Sequence, residues 1–245
     1  MYTPRTYRYN QDAGDLQYLR VAVGETDLWI GLKDPQIPLN QLRELTVERV
    51  LHLRRILKVY IAKHPEFKES LRPVPYSPKD PELIQRMGAA AQTVGVGPMA
   101  AVAGAIAQLV GEELLPLCSE LIIENGGDIF LYCRQRRRIG ILAGNSPFSG
   151  RLGIVAPQQT PMGVCTSAGT SGHSLSLGRA DAAVVIAADA ALADAAATHG
   201  GNLVQEPADI PSALEKMSKI PHLLGVLLIK EDKLGAWGQI ELEPL

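Results

Sequence analysis

The chain has 245 residues, 46% of them hydrophobic, enough for a sizeable core in one large domain or two closely packed halves. Lys and Arg number 24 against 26 Asp and Glu, and the formal net charge of −2 gives no global electrostatic case for nucleic acid or an anionic membrane surface. Cys118, Cys133 and Cys165 are an odd number without C-x-x-C spacing, which argues against both a disulfide framework and a zinc knuckle.

The first residues lack an apolar leader, and no stretch is read as approaching the ~20 apolar residues of a membrane span, so the expected location is cytoplasmic. The expected partner is a small molecule or a protein, with self-association left open. Alternation around Tyr7 and Tyr9, through Leu19–Val23 and again through Leu28–Leu32, with a turn at Gly24-Glu25-Thr26-Asp27, predicts a β-hairpin or meander. Leu39 to Lys63 carries a helical apolar period that His64-Pro65 stops. A proline-rich connection then leads to a helix over Glu82–Thr93. Pro98 marks the start of a central helix running to Leu115, apolar on nearly every face.

Two strands flank the glycine turn Asn125-Gly126-Gly127, a third spans Arg138–Leu142, and the intervening Arg134–Arg138 reads as a solvated basic tip. Strands then follow near Leu152–Val155, Val164–Thr166 and Ala182–Ala187, with helices over Ala190–His199 and Pro211–Lys219 and strands over Leu223–Lys230 and Ala236–Leu242. Gly200-Gly201 reads as the stop of the first of these helices, with His199 in its last turn. The two halves repeat one order, predicting an α+β fold of two β-β-α-α-β-β units, antiparallel sheets packed against helices. The expected domain is a single one over residues 1–245, with halves of about 1–145 and 146–245.

Three places can carry chemistry. In Ala193-Asp194-Ala195-Ala196-Ala197-Thr198 a carboxylate and a hydroxyl stand four residues apart among methyl-sized side chains, on one helix face with Cβ atoms roughly 5–6 Å apart. They can share a hard cation or a phosphate-bound metal; an Ala-rich core helix would show the same pattern. The run Thr166-Ser167-Ala168-Gly169-Thr170-Ser171-Gly172-His173 offers N–H donors and hydroxyls with little bulk, suited to a diphosphate, as a plain connector also would. His173 can serve there as general base, metal ligand or phosphate donor. Glu124-Asn125-Gly126-Gly127-Asp128 sets two carboxylates around an approachable backbone, or is simply a hairpin turn. Gly95-Val96-Gly97-Pro98 matches a dinucleotide fingerprint only loosely, although the helix opening at Pro98 presents free N–H groups to an anion. A loop-serine hydrolase is a rival, but Gly169-Thr170-Ser171-Gly172 is not G-x-S-x-G.

Together these segments resemble the ApbE superfamily, flavin transferases that move the FMN half of FAD onto a protein threonine. Ala193–Thr198 is similar to its A-D-A-x-x-T magnesium motif, Glu124–Ile129 to its strand-Gly-Gly-(Asn/Asp)-Ile segment, and Thr166–Gly169 or Thr170–Gly172 to its T-S-G. The resemblance runs over about Ala89–His199 and implies a duplicated T-fold. It further implies Mg²⁺ on Asp194 and Thr198, and FAD or FMN near Gly126, Gly127, Asp128, Thr166, Ser167, Gly169, Thr170, Ser171 and Gly172. His173 and Asp194 are then the catalytic candidates, and the partners a nucleotide and a protein acceptor. The family's K-G-Y segment has no counterpart, Gly97-Pro98-Met99-Ala100 standing in its place, and its H-x-x-D-P-x-T-G stretch is missing. The other expectation is therefore a repurposed accessory protein of anaerobic sulfur or homocysteine metabolism, to which this branch has been linked.

Overall fold

The computed structural model describes residues 14–168 and 178–245; the predicted strand around Tyr7 and Tyr9 lies outside the described residues. Strands β1 (Gln17–Val23) and β2 (Thr26–Lys33) form the first antiparallel hairpin. Its turn is shorter than expected: Val23 pairs with Thr26, so Thr26 and Asp27 belong to β2, and Gly24 at φ 58° makes the tight reversal possible.

Helix α1 (Leu39–Lys63) buries Leu42, Thr46, Val50, Leu53 and Leu57, a stripe returning every three or four residues. The single-turn α2 (Glu66–Glu69) follows, then α3 (Glu82–Val94), which ends on Gly95 in the left-handed region at φ 87°. Pro98 opens a 3-10 turn, Pro98–Ala101, and the α-helix proper, α4, runs Val102–Leu114. By length and composition the 20-residue helical stretch Pro98–Leu117 is apolar enough to cross a membrane, which corrects the sequence expectation. Here it is a core helix, with Ala105, Ala107, Leu109 and Val110 buried.

The order β3 (Glu120–Asn125), β4 (Asp128–Tyr132), β7 (Met162–Ser167), β8 (Ala182–Ala187), β9 (Leu223–Lys230) and β10 (Lys233–Gly238) completes an eight-stranded sheet behind β1 and β2, antiparallel at each step. Helices α5 (Ala190–Leu203) and α6 (Ile210–Met217) separate β8 from β9. The sheet thus traces strand-strand-helices-strand-strand twice. The second run opens at β7, not at Leu152: β5 (Arg138–Gly140), β6 (Leu152–Val155) and β11 (Leu242–Pro244) form a separate three-stranded sheet.

Side-chain alternation assigns the two faces. Ile123, Phe130, Cys165, Val185 and Val226 join the core beneath the helices, while Leu131, Val164, Val184, Ile186 and Leu227 join a second core with Ile154 of the small sheet. With both faces covered, every residue of β8 is buried.

One local expectation is corrected and another is qualified. Helix α5 does not stop at Gly200-Gly201 but continues to Leu203, and both glycines are buried within it. They are packing sites: a Cβ on Gly200 would stand 3.3 Å from Met217, and Gly178 is fitted against the Gly201 carbonyl where no side chain has room. The Arg134–Arg138 tip is exposed at Arg134, Gln135, Arg136 and Arg138, as expected, but two of its cations are held by carboxylates. Arg137 joins Asp15 (2.9 Å) and the buried Glu120 (2.7 Å), and Arg136 pairs with Glu241 and Glu243 of the C-terminal strand segment. Carboxylates distant in sequence, invisible to local pattern, thus pair with Arg136 and Arg137.

Candidate functional site at one end of the sheet

Register brings several connections to one end of the large sheet. Leu28 pairs with Asn125, Asp128 with Cys165, Ser167 with Ala183 and Ala182 with Ile229. The β1–β2 turn, the β3–β4 turn, the end of β7 with the start of β8, and the β9–β10 turn therefore lie along a common rim.

At the middle of that rim, Gly126 (φ 77°) and Gly127 (φ 107°) make the β3–β4 reversal. The Gly127 N–H donates to Glu124 Oε1 (2.8 Å), and the Thr166 N–H donates to the Gly127 carbonyl (3.1 Å). A Cβ on Gly127 would stand 3.3 Å from the Thr166 carbonyl, so this glycine holds the turn tight against the end of β7. Asn125 Nδ2 donates to the Ala103 carbonyl (3.1 Å), joining the turn to the start of α4.

The α4 N-terminus has no cap of its own, since its N-cap residue is Ala101. Asp194, from the first turns of α5, supplies one across 90 residues: its Oδ2 accepts the Gly104 N–H at 2.9 Å, and the Ala103 N–H also bonds to it. The carboxylate can reach because the two helices nearly touch. At Gly104 a Cβ would collide with the Ala190 carbonyl and come within 2.9 Å of Asp194 Cβ. Gln108 ties the same crossing, its Oε1 accepting the Ala190 N–H at 2.6 Å. The N–H groups expected to await an anion near Pro98 do so one turn later, and they meet a carboxylate of this chain.

Asp194 also hydrogen-bonds the Asp128 carboxyl, and both are buried. Burial raises the Asp194 pKa to about 7, against the opposing pull of the Gly104 and Ala103 N–H groups. Asp128 is held well above the usual carboxylate range, first by burial and then by the negative charges of Asp194 and Glu124. Burial and mutual repulsion both favour the protonated form, and a hydrogen bond between the two carboxyls requires a proton on one of them. Cys165, paired with Asp128 across the strands, is pushed far upward by burial and these carboxyls, and its Sγ donates to the Ala190 carbonyl (3.4 Å). It is a neutral packing group, not a nucleophile.

Thr198 lies on α5 one turn beyond Asp194 and is half-buried. Thr166 and Ser167 close β7 beside this cluster, Ser167 being buried and thus a poor exposed nucleophile. Gly169, Thr170, Ser171, Gly172 and His173 lie outside the described residues, but the chain on the far side is anchored: Gly178 N–H donates to Asn202 Oδ1 (3.1 Å) and Arg179 N–H to the Val204 carbonyl (2.9 Å). Gly104 and Gln108 were not singled out by the sequence, and Asn125 and Cys165 entered it only as a turn residue and as one of three cysteines. Only the small size of Gly104 within an apolar helix hinted at a close crossing.

No group of three or more His, Cys, Asp or Glu among the described residues is arranged to hold a metal ion. The donor set is instead two buried carboxyls sharing a hydrogen bond, one turn from a hydroxyl. This suits an octahedral hard cation that takes one or two protein oxygens and completes its shell with phosphate and water.

Comparison with known proteins agrees with this architecture. Residues 9–222 match the family model described as AbpE bacteria. A UPF0280 protein of Methanocella arvoryzae is 39% identical over 196 residues, covering 79% of this chain and 80% of its own. The UPF0280 protein MJ1526 of Methanocaldococcus jannaschii is 37% identical over 227 residues, covering 90% of each chain. Among solved structures, the ApbE protein of Thermotoga maritima superposes with a TM-score of 0.59 at 12% identity, covering 90% of this chain and 96% of that one. The flavin transferase ApbE of Vibrio cholerae gives 0.56 at 12% identity, covering 91% and 96%. This chain belongs to the AbpE bacteria family, a divergent ApbE-like branch with the UPF0280 proteins among its relatives.

Proposed function

We propose that the protein binds a flavin nucleotide or related diphosphate at this rim with Mg²⁺ on Asp194 and Thr198, and passes FMN from FAD to a threonine of a partner protein. The observation that carries this reading is the buried Asp128–Asp194 carboxyl pair at the opening of α4, in a chain whose fold neighbours include a flavin transferase of Vibrio cholerae. A bound Mg²⁺ supplies charge neutralisation at the diphosphate. Gly126 and Gly127, bare of side chains, let the phosphates approach the main chain, and the Thr166-Ser167 and Gly169–Gly172 segments contribute N–H and hydroxyl donors. In the transfer, the acceptor hydroxyl oxygen bonds to the FMN phosphorus as the bond to AMP breaks, and His173 takes the hydroxyl proton.

Calorimetric titration of FAD with and without Mg²⁺ tests the site. The expected result is saturable, metal-dependent binding, weakened roughly tenfold or more by Asp194→Asn and by Thr198→Val. Asparagine keeps an oxygen for the α4 N–H groups, so Asp194→Asn removes charge without removing the cap. An absence of FAD binding by the native chain, or undiminished binding by both variants, defeats the reading.

One observation favours a second reading, a binding or accessory protein that transfers nothing, in keeping with anaerobic sulfur or homocysteine metabolism. Asp194 Oδ2 is already engaged as the α4 cap, and Gly97-Pro98-Met99-Ala100 supplies no lysine or tyrosine nearby in sequence. Mass spectrometry separates the two: incubation with FAD, Mg²⁺ and a threonine acceptor peptide adds FMN to the peptide under the first reading and leaves it unmodified under the second.

A further inference from the structure

The same rim carries a second feature at its edge, two strands away from the β3–β4 turn. A groove of about 310 Å³ lies between the β1–β2 turn and the outer face of α1, with Val23, Leu51 and Val59 as apolar lining and Arg54, Arg55 and Lys58 as its cations. Leu51 and Val59 are 53% and 51% exposed, too much for residues serving only the core. From Val50 to Lys63, α1 contains Arg54, Arg55, Lys58 and Lys63 and not a single Asp or Glu, in a chain whose net charge is −2. The groove's lining is therefore cationic, with Glu48, one turn before Leu51 on α1, as the helix's nearest acidic residue in sequence.

The cations differ in their commitments. Arg54 is folded against Gly24, pairs with Glu25 and donates to Thr26 Oγ1 (3.0 Å). Glu25 is the acidic residue at the groove's rim, and its carboxylate is held below the ordinary range first by that hydrogen bond to Arg54. Arg55 and Lys58 are exposed and point their charge to solvent along the helix face that carries Leu51 and Val59. A depression lined by both apolar side chains and cations fits an aliphatic side chain flanked by carboxylates. It does not fit a membrane as well, because the apolar residues line a depression and the lining contains no aromatic residue to project into a bilayer.

We propose that this groove docks an acidic, leucine-bearing segment of a partner protein. The inference is independent of nucleotide binding; if the rim site transfers a group to a protein, docking here places that protein beside it. The test is fluorescence anisotropy without nucleotide, using a fluorescein-labelled helical peptide of Glu and Leu and a control peptide with Gln for every Glu. The expected result is saturable binding of the Glu peptide that weakens with salt, and roughly tenfold or greater loss of affinity in the Arg55→Glu, Lys58→Glu double variant. Leu51→Ser weakens binding while leaving the salt dependence in place. All three positions are exposed, and an unchanged circular dichroism spectrum confirms folding. Equal binding of the Gln peptide, or of the double variant, overturns the proposal. So does capture by phosphatidylserine vesicles without peptide binding, or a concentration-dependent dimer in sedimentation that the double variant abolishes, since each assigns the groove to another occupant.

Discussion

At the scale of single residues, the rim is governed by close approach and by charge out of water. Gly104 permits α4 and α5 to cross with the Ala190 carbonyl where a side chain would stand. Because the obstructing atoms are backbone, Gly104→Ala is expected to lower stability by about 1–3 kcal/mol, read by urea unfolding, and to weaken FAD binding with it. Asp194 gives a pH dependence of defined sign. Its pKa rises on folding from 3.8 to about 7, so the folded state holds the proton more tightly. The associated stability is complete below the unfolded value and is lost as pH rises through about 7. Chelator-treated protein should therefore show a melting temperature that falls between about pH 4 and pH 8, and Asp194→Asn should flatten this fall. A profile that rises over the same window would contradict the burial of an uncompensated carboxyl pair.

At the scale of elements, helices α4 and α5 form one unit through two different caps. The α5 start is capped locally, Asp189 accepting the Leu192 N–H at 2.8 Å, which the sequence reading did not pick out. Asp189→Ala is expected to cost about 1 kcal/mol in chemical denaturation without altering nucleotide affinity. The α4 cap comes from Asp194, and no local pattern announces it. This explains what was legible here. Periodicity placed α1 at Leu39–Lys63, because its burial repeats within the helix, and a short unbroken apolar run placed β8 at Ala182–Ala187, because a strand covered on both faces buries every residue. Gly200-Gly201 misled, since a glycine pair reads locally as a stop whereas here it makes room for Gly178, Met217 and Leu228.

At the scale of the whole molecule, the eight-stranded sheet aligns its turns on one rim, and long-range charge pairs hold the layers around it. Arg137 is buried between Asp15, 122 residues away, and Glu120, whose side chain is 2% exposed. Arg137→Ala leaves the buried Glu120 with only the Gln135 N–H at 3.2 Å and Lys33 at 4.0 Å, and is expected to cost about 3 kcal/mol in thermal or chemical unfolding, more than the loss of any exposed arginine of the same tip. An effect no larger than that of Arg134→Ala would show that the pair contributes little.

The sequence by itself determined most elements, the doubled strand and helix order, and the residue types of the rim: Gly126-Gly127, Asp128, Asp194 and Thr198 stand out because small or polar groups interrupt apolar runs. Tertiary structure alone decided that Asp128 and Asp194 share a hydrogen bond, that Asp194 caps a helix 90 residues earlier, and that β5, β6 and β11 leave the main sheet. The physical reason is common to all three. Local patterns record which face of an element is buried, whereas the partner across that face is chosen by packing and charge between segments far apart in the chain.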